Sequence, residues 1–183
     1  MTSVLGVAGS PRRGGNTETL LDEVLRGAAE AGAMTEKVVL AERDVKSCRA
    51  CNACARTKVC IQKDDMVSII EKMREAEVWV LATPVYWWGP TAQMKAFIDR
   101  WYSIPRDVFR GKRVILAVSS GGGSPYSDLM VRTFGEIFAY LDMEEFRVLQ
   151  TGGADSKTTA RGDEHLMRDA HAAGFDAVKT LRV

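Results

Sequence analysis

The sequence predicts an α/β fold in which a five-stranded parallel sheet is covered by helices on both faces. Short apolar runs alternate with longer amphipathic segments five times along the 183 residues, which is typical of a parallel α/β sheet. The runs are apolar almost throughout, as parallel strands covered on both faces must be. No internal repeat or linker interrupts this alternation. We therefore expect one domain, residues 1–183, with a cysteine-rich insertion at about residues 46–63.

The N-terminal part of the chain predicts a strand, a helix and a second strand. Residues 4–8 are an apolar run that ends at Gly9, and Gly32 is placed to end the following helix. The apolar face of that helix has helical spacing and consists of Leu20, Leu21, Val24, Leu25 and Ala28. Residues 37–40 are the second predicted strand.

The middle of the chain repeats the pattern. Asp64 is a candidate N-cap for a helix whose apolar face carries Met66, Ile69, Ile70 and Met73. The third strand is predicted at residues 77–83, and a helix at about 91–102 follows it. The apolar stripe of this helix consists of Met94, Phe97, Ile98 and Trp101.

The C-terminal part predicts two more strands and two helices. The strands lie at residues 112–119 and 145–150, and the closing helix lies at 163–181. Between the strands, a helix is indicated by Leu129, Phe134, Ile137, Phe138 and Leu141. Ligands of such sheets bind beyond the carboxyl ends of the strands, where the strand order reverses. We therefore expect the functional site in the loops after strands one, three and four.

The charge and the apolar runs restrict the partners. The 25 basic residues nearly balance the 24 acidic ones, giving a net charge of +1, so there is no basic excess to attract nucleic acid or an anionic membrane. The N-terminus enters a strand without the features of a signal peptide, and the apolar runs are too short to cross a bilayer. We expect a cytoplasmic protein that binds neither nucleic acid nor membrane.

The loop after the first strand, residues 9–17 (GSPRRGGNT), is typical of a phosphate site. It places hydroxyls, an amide and Arg12 or Arg13 where a helix N-terminus presents its unpaired N–H groups. Gly15 occupies the lysine position of a nucleoside-triphosphate P-loop, and a dinucleotide fingerprint is absent. A terminal monophosphate needs only this kind of nest. The alternative is a tight N-capped turn with solvated arginines.

The loops after strands three and four suit a flat ligand. Residues 83–91 (TPVYWWGPT) place three aromatic side chains between prolines at the ligand edge, and planar rings there can contact a planar cofactor. Core packing or a subunit contact is the alternative for each aromatic residue. Residues 119–124 (SSGGGS) would let the backbone approach a ligand closely.

Residues 9–17 and 84–100 (PVYWWGPTAQMKAFIDR) together resemble the flavodoxin-like NAD(P)H-dependent FMN reductase family, and the resemblance extends to about residue 150. It implies a flavodoxin-like three-layer sandwich of strand order 2-1-3-4-5, and a bound FMN. It assigns to the phosphate end Ser10, Arg12, Gly15, Asn16 and Thr17. It assigns to the flavin ring Pro84, Val85, Tyr86, Trp87, Trp88, Ser119, Gly121 and Gly122. It also implies a homodimer or homotetramer, whereas Lys95, Asp99 and Arg100 look like helix structure and surface pairing.

Four cysteines fall within thirteen residues, and the rest of the chain has none. Cys48, Cys51, Cys54 and Cys60 have the spacing C-x2-C-x2-C-x5-C. Such a compact set favours a [4Fe–4S] cluster over zinc, which more often uses two separated C-x2-C pairs. The spacing is similar to that of iron–sulfur flavoproteins, a branch of the same family whose cluster lies near the FMN of a neighbouring subunit. The alternative is four free thiols.

These features predict an FMN-dependent oxidoreductase that reduces a quinone, flavin or other small acceptor with NAD(P)H. The flavin would carry out the redox chemistry, so we expect no catalytic side chain. One alternative is an iron–sulfur flavoprotein that carries electrons from a ferredoxin-like donor. A second is a non-redox flavin-binding module with structural zinc.

Overall fold

The architecture is that of a parallel sheet between two helical layers. The computed structural model describes residues 1–182; Val183, the last residue of the predicted domain, lies outside them. The strands are β1 Ser3–Ala8, β2 Met34–Val39, β3 Val78–Pro84, β4 Arg113–Ser119 and β5 Glu144–Thr151. The α-helices are α1 Asn16–Glu30, α2 Ala53–Thr57, α3 Met66–Glu75, α4 Ala92–Asp99, α5 Ser124–Tyr140, α6 Thr159–Gly162 and α7 Glu164–Lys179.

The strand order in the described chain is β2-β1-β3-β4-β5, and all neighbouring strands are parallel. The prediction of a flavodoxin-like sheet is therefore confirmed. The chain moves outward from β1 to β2 and then returns past β1 to β3, so the order reverses between β1 and β3. This reversal brings the loops after β1 and β3 to the same edge of the sheet.

The two faces of the sheet carry separate apolar cores. One core packs against α3, α4 and α5 and contains Met73, Phe97 and Phe134, and the other packs against α1 and α7 and contains Leu21 and Ala173. This arrangement accounts for the uninterrupted burial of β4, since both of its faces are covered. No helix in residues 1–182 is both long and apolar enough to cross a membrane.

Helices α1 and α7 approach each other unusually closely. A Cβ at Gly174 would lie 1.9 Å from the carbonyl oxygen of Val24, and a Cβ at Gly27 would lie 2.0 Å from that of His171. Both positions therefore require glycine. Because α1 begins at the loop after β1, this contact also fixes the position of the candidate phosphate site.

Several element boundaries differ from the prediction for identifiable reasons. Strand β2 begins at Met34 because it pairs with β1 from that residue onward, although its first half is exposed. The helix expected to run to residue 102 ends at Asp99 and continues as the 3₁₀ turn Arg100–Ser103. The short helices α2 and α6 were not predicted, since four or five residues are too few to show a helical period.

Candidate functional site

The loops at the carboxyl edge of the sheet enclose a cavity of about 220 Å³. Of the thirteen residues predicted to bind the cofactor, ten line this cavity: Ser10, Arg12, Gly15, Asn16, Thr17, Pro84, Val85, Tyr86, Ser119 and Gly121. A second cavity of about 260 Å³ is lined by the other three, Trp87, Trp88 and Gly122. Both cavities are lined by Val85, Ser120 and Gly121, so they are adjacent, and each of the thirteen residues lines one or both of them.

One end of the site is the turn at residues 9–17 and the first turn of α1. Gly15 is the N-cap residue, and the first backbone bond of the helix runs from the Thr19 N–H to the Gly15 carbonyl at 2.9 Å. The preceding N–H groups of the first turn have no intrahelical partner. The Ser10 hydroxyl accepts the Arg12 N–H at 3.1 Å and can still donate its own proton. This end can therefore bind an anion.

Glu18, which the sequence analysis did not identify, holds this turn in shape. Its side chain is 5% exposed and accepts hydrogen bonds from the Arg13 guanidinium at 2.7 Å and the Gly14 N–H at 2.7 Å. The Lys37 ammonium lies 3.1 Å away. The Arg13 hydrogen bond, opposed by burial and assisted by Gly14 and Lys37, lowers the pKa of Glu18 to about 2. Arg13 therefore stabilises the turn, and of the two arginines only Arg12 lines the cavity.

Asn16 lines the cavity, but its side-chain amide is already engaged. The Nδ2 group donates to the Ser156 carbonyl at 2.7 Å, and Oδ1 accepts the Ala160 N–H at 3.0 Å. Asn16 can therefore offer an anion its backbone N–H but not its side chain. The same bonds tie the loop after β5 to the phosphate end, and this loop brings Asp155 and Lys157 to the cavity. These two residues follow β5, whereas the site was predicted in the loops after β1, β3 and β4, so they were not among the predicted residues.

The other end of the site carries the three aromatic residues on a tight turn. The N–H of Tyr86 donates to the carbonyl of Gly89 at 2.8 Å, and the N–H of Gly89 donates back to the carbonyl of Tyr86 at 3.0 Å. Between them, Trp87 and Trp88 both have left-handed backbones, with φ of 51° and 61°. Trp87 is 91% exposed, and Trp88 stacks on Tyr126 with ring centroids 6.1 Å apart. Neither tryptophan packs in the core.

Thr91 connects the two ends of the site. It is the N-cap of α4, where its hydroxyl accepts the Met94 N–H at 3.2 Å and donates to the Gly9 carbonyl at 2.5 Å. Its own N–H donates to the Thr83 hydroxyl at 3.2 Å. The turn after β1 and the aromatic loop are thus held in one arrangement by a fully buried threonine.

The cysteine segment, residues 46–64, lies outside this site and lines a cavity of its own, of about 420 Å³. All four cysteines line it together with Arg100, Tyr102 and Ser103. Their thiols are free, and the Cys54 thiol donates to the Tyr102 carbonyl at 3.6 Å. Among residues 1–182, no three His, Cys, Asp or Glu side chains surround one point as a single metal ion requires. A cubane would bind each thiolate to a different iron atom; the structure brings the four cysteines around one cavity but does not itself support the predicted cluster.

The expectation that Arg100 takes part in surface pairing is wrong. Lys95 pairs with Asp99 at 2.6 Å on the exposed face of α4, as expected. The Arg100 side chain, however, is 1% exposed and forms a bidentate ion pair with the buried Asp64, at 2.5 and 3.0 Å. Asp64 also accepts the Met66 N–H at 3.3 Å, but the N-cap residue of α3 is Asp65, so the prediction of Asp64 as the N-cap is wrong by one position. Burial opposes the ionised form of Asp64, but the hydrogen bonds from Arg100, Lys46 and Met66 and the charge of Arg100 together lower its pKa.

The comparisons with known proteins agree with this geometry. A family model described as NADPH-dependent FMN reductase matches residues 2–150. An iron–sulfur flavoprotein of Methanosarcina thermophila is 40% identical over 121 residues, which cover 66% of this chain and 63% of that protein. One from Archaeoglobus fulgidus is 33% identical over 140 residues, which cover 73% of this chain and 69% of that protein.

A further sequence match covers less of the chain, and two matches to solved structures concern its fold. A Methanocaldococcus jannaschii iron–sulfur flavoprotein is 42% identical, but the match covers only 53% of this chain and 50% of that protein, so the chain spans about half to two thirds of these relatives. Among solved structures, an apo NADH:FMN oxidoreductase gives a TM-score of 0.72 at 16% identity, covering 98% of this chain and 90% of that one. An NAD(P)H:quinone oxidoreductase from Methanothermobacter marburgensis gives a TM-score of 0.71 at 18% identity, and the match covers 95% of this chain and 94% of that one. These likenesses concern the fold alone.

Proposed function

Because the chain belongs to the NADPH-dependent FMN reductase family, in its iron–sulfur flavoprotein branch, we propose that it is an FMN-dependent oxidoreductase. In this function it uses NAD(P)H to reduce a quinone, a flavin or another small acceptor. The observation that carries the proposal is the pair of adjacent cavities at the carboxyl edge of the sheet, with a helix N-terminus suited to an anion at one end and exposed aromatic rings at the other.

In this proposal the phosphate of FMN binds at the N-terminus of α1. The unpaired N–H groups of Asn16 and Thr17 and the hydroxyl of Ser10 would donate to its oxygens. Arg12 and Lys157 line the same cavity and would supply charge-assisted bonds from two different loops. The residues present therefore fit a terminal phosphate, although no lysine follows the glycines as it does in a P-loop.

The ring of FMN would occupy the other end of the site. There the ring would be bordered by the backbone of residues 84–86 and 119–122. Asp155 would place a carboxylate beside it. When bound, FMN supplies the capacity to accept a hydride from a nicotinamide and to pass electrons on. The protein positions both partners, and Trp87 offers an exposed aromatic face on which a nicotinamide or an acceptor could stack. No side chain needs to act as acid or base.

Comparison of FMN with riboflavin tests this proposal directly. Riboflavin has the same ring but no phosphate, so the apoprotein should bind FMN at least 100-fold more tightly, corresponding to about 3 kcal/mol. Arg12→Ala and Lys157→Ala should each reduce that preference by roughly tenfold, consistent with one charge-assisted bond. Arg110→Ala, on an exposed side chain outside the cavity, is the matched control. Equal binding of the two flavins, or no FMN binding, would contradict the proposal.

A second candidate function follows from the cysteine cavity. We infer that Cys48, Cys51, Cys54 and Cys60 hold a [4Fe–4S] cluster and that the protein can accept single electrons from a ferredoxin-like donor. The supporting observation is that all four thiols line one cavity. Protein purified without oxygen should contain about four irons per chain, and Cys51→Ser should abolish them while FMN binding remains. Iron-free wild-type protein would eliminate the cluster but leave the FMN proposal intact.

The assembly and location of the protein stay predictions. A homodimer or homotetramer is expected from the family resemblance, and sedimentation of the FMN-loaded protein measures it. The single domain over residues 1–183 and the cytoplasmic location likewise rest on the sequence alone.

A further inference from the structure

The two ends of the cysteine segment meet at Arg100. Its Nη1 donates to the Lys46 carbonyl at 2.9 Å, just before Cys48, and its two terminal nitrogens bind Asp64, four residues after Cys60. Asp64 in turn accepts the Lys46 N–H at 3.1 Å. One buried guanidinium therefore clamps the entry to the cysteine segment and the exit from it.

The third nitrogen of this guanidinium has no partner. The Nε atom of Arg100 is buried and makes no hydrogen bond within residues 1–182. An unpaired buried donor is costly, on the order of 1–3 kcal/mol, and more when it is charged. Such a group in a well-packed protein calls for a ligand or another specific reason. Here Arg100 lines the cavity that all four cysteines share.

Cys60 lines the same cavity as Arg100 and is the cysteine that contributes to the electrostatics of its guanidinium. Burial opposes the charged form of Arg100, but the hydrogen bond and charge of Asp64, with smaller contributions from Cys60, together raise its pKa. The Nε–H of Arg100 remains unpaired within residues 1–182 and is free to donate to a sulfur in this cavity. A deprotonated, cluster-bound sulfur is a stronger acceptor than a thiol, because it carries more negative charge.

We propose that Arg100 is a positioning residue for the cluster, which donates its Nε–H to the Cys60 sulfur and, with Asp64 as its counter-charge, sets the midpoint potential of the cluster. This inference rests on the proposed cluster function and does not depend on the FMN site. Hydrogen bonds to the sulfurs and nearby positive charge favour the reduced, more negative cluster and so raise its potential. The carboxylate of Asp64 offsets part of the guanidinium charge.

This arrangement predicts opposite shifts from two substitutions. Arg100→Lys keeps a positive charge opposite Asp64 but removes the Nε–H and the planar fork, so the midpoint potential should fall. Asp64→Asn keeps Arg100 and removes the carboxylate that offsets its charge, so the midpoint potential should rise. A purely structural role would make both variants lose iron without moving the potential of the remaining clusters in opposite directions.

The experiment compares wild type, Arg100→Lys, Asp64→Asn and Arg56→Lys in anaerobically purified, FMN-loaded protein. Arg56 lies in the cysteine segment but is exposed, so Arg56→Lys makes the same chemical change without removing a buried donor, and its potential should equal that of wild type. Iron per chain and a redox titration followed by electron paramagnetic resonance are the readouts, and FMN content reports folding. If Asp64→Asn fails to fold, the difference in midpoint potential between Arg100→Lys and Arg56→Lys still tests the proposal.

Each outcome separates this inference from the functions on which it rests. A lower midpoint potential in Arg100→Lys, with an unchanged potential in Arg56→Lys, supports the proposed role of Arg100. Unchanged potentials, or shifts of the same sign in Arg100→Lys and Asp64→Asn, overturn it while leaving the cluster in place. Wild-type protein with FMN but no iron overturns it together with the cluster, and the FMN proposal survives.

Discussion

The phosphate turn, residues 9–17, and the cysteine segment, residues 46–64, are both loops at the edge of the same sheet, yet they are held in different ways. The phosphate turn connects β1 directly to α1 and is fixed by Glu18 and Thr91, both of which are buried. The cysteine segment has two exposed cysteines, a five-residue helix without buried residues, and non-glycine residues with left-handed backbones. Its anchor is the buried pair of Asp64 and Arg100.

This difference indicates how each region obtains its order. The phosphate turn is held by hydrogen bonds within the fold, so its shape does not depend on a ligand. The cysteine segment buries little apolar surface to offset the entropy of ordering its backbone. It depends on one ion pair and, in our proposal, on the cluster itself, since a metal group that binds only the folded segment stabilises it.

The sharpest test of this comparison is Asp64→Ala. Removal of this carboxylate leaves the Arg100 guanidinium buried without a counter-charge, and breaking such a pair costs about 3–5 kcal/mol. We expect a decrease of about 4 kcal/mol in the free energy of unfolding, measured in urea. The cysteine segment should also become susceptible to proteolysis, while FMN affinity remains that of wild type.

Asp99→Ala is the matched control for this substitution. It removes a carboxylate from the exposed pair with Lys95, and pairs of that kind contribute about 0.3–0.5 kcal/mol. A loss of less than 1 kcal/mol in Asp64→Ala would show that the ion pair is not the anchor of the cysteine segment.

The second test perturbs the other region through the contact of α1 and α7. Gly174→Ala places a Cβ 1.9 Å from the Val24 carbonyl oxygen, so the helices must separate, and we expect a loss of about 3 kcal/mol. Because α1 carries the phosphate turn, FMN affinity should fall as well. Iron content should not change, since the cysteine segment does not touch this contact.

Gly162→Ala is the control here, because no atom lies within 4 Å of a Cβ at that position. Its stability should change by no more than about 1 kcal/mol. If Gly174→Ala lowers iron content as strongly as FMN affinity, the phosphate turn and the cysteine segment are not held independently, which contradicts the comparison made above.

The sequence predicted the sheet correctly and drew attention to the loops that line the cavities because these signals are local. Apolar strands, glycine-rich turns and the residues at 84–88 are adjacent in the chain, so their patterns are visible without the fold. The roles of Asn16 and Arg100 were not visible, because their partners lie elsewhere in the chain. Asn16 binds a carbonyl 140 residues away, and Arg100 binds a carboxylate 36 residues away. Long-range pairing of buried polar groups leaves no periodic pattern.

The third test concerns the pH dependence of the phosphate turn. The pKa of Glu18 is lowered from 4.5 to about 2, so its ionised form stabilises the protein fully above pH 4.5. That contribution is lost as the pH falls from 4.5 towards 2. At pH 7, Glu18→Gln should lower the free energy of unfolding by about 2 kcal/mol, because charge-assisted bonds to Arg13 and Gly14 are replaced by weaker ones.

Urea unfolding of wild type and Glu18→Gln at several pH values checks this expectation. The difference between the two proteins should be largest near pH 7 and should narrow steadily below pH 4.5. Glu71→Gln, on the exposed face of α3, should behave like wild type throughout. A difference that stays constant down to pH 3 would mean that the charge of Glu18 does not hold the turn.

The smallest expected effect on stability comes from Trp87→Gly, at the exposed end of the preorganised site. Glycine relieves the left-handed backbone of Trp87, whose φ is 51°, but it also increases the entropy of the unfolded chain. These effects offset each other to within about 0.5 kcal/mol. Loss of the exposed ring should nevertheless lower kcat/KM for NAD(P)H oxidation by about tenfold, which corresponds to one stacking contact of about 1.4 kcal/mol. Trp87→Phe keeps a ring and should retain most of the activity. Equal activity in all three proteins would place Trp87 outside the reaction and leave a contact between subunits as its role.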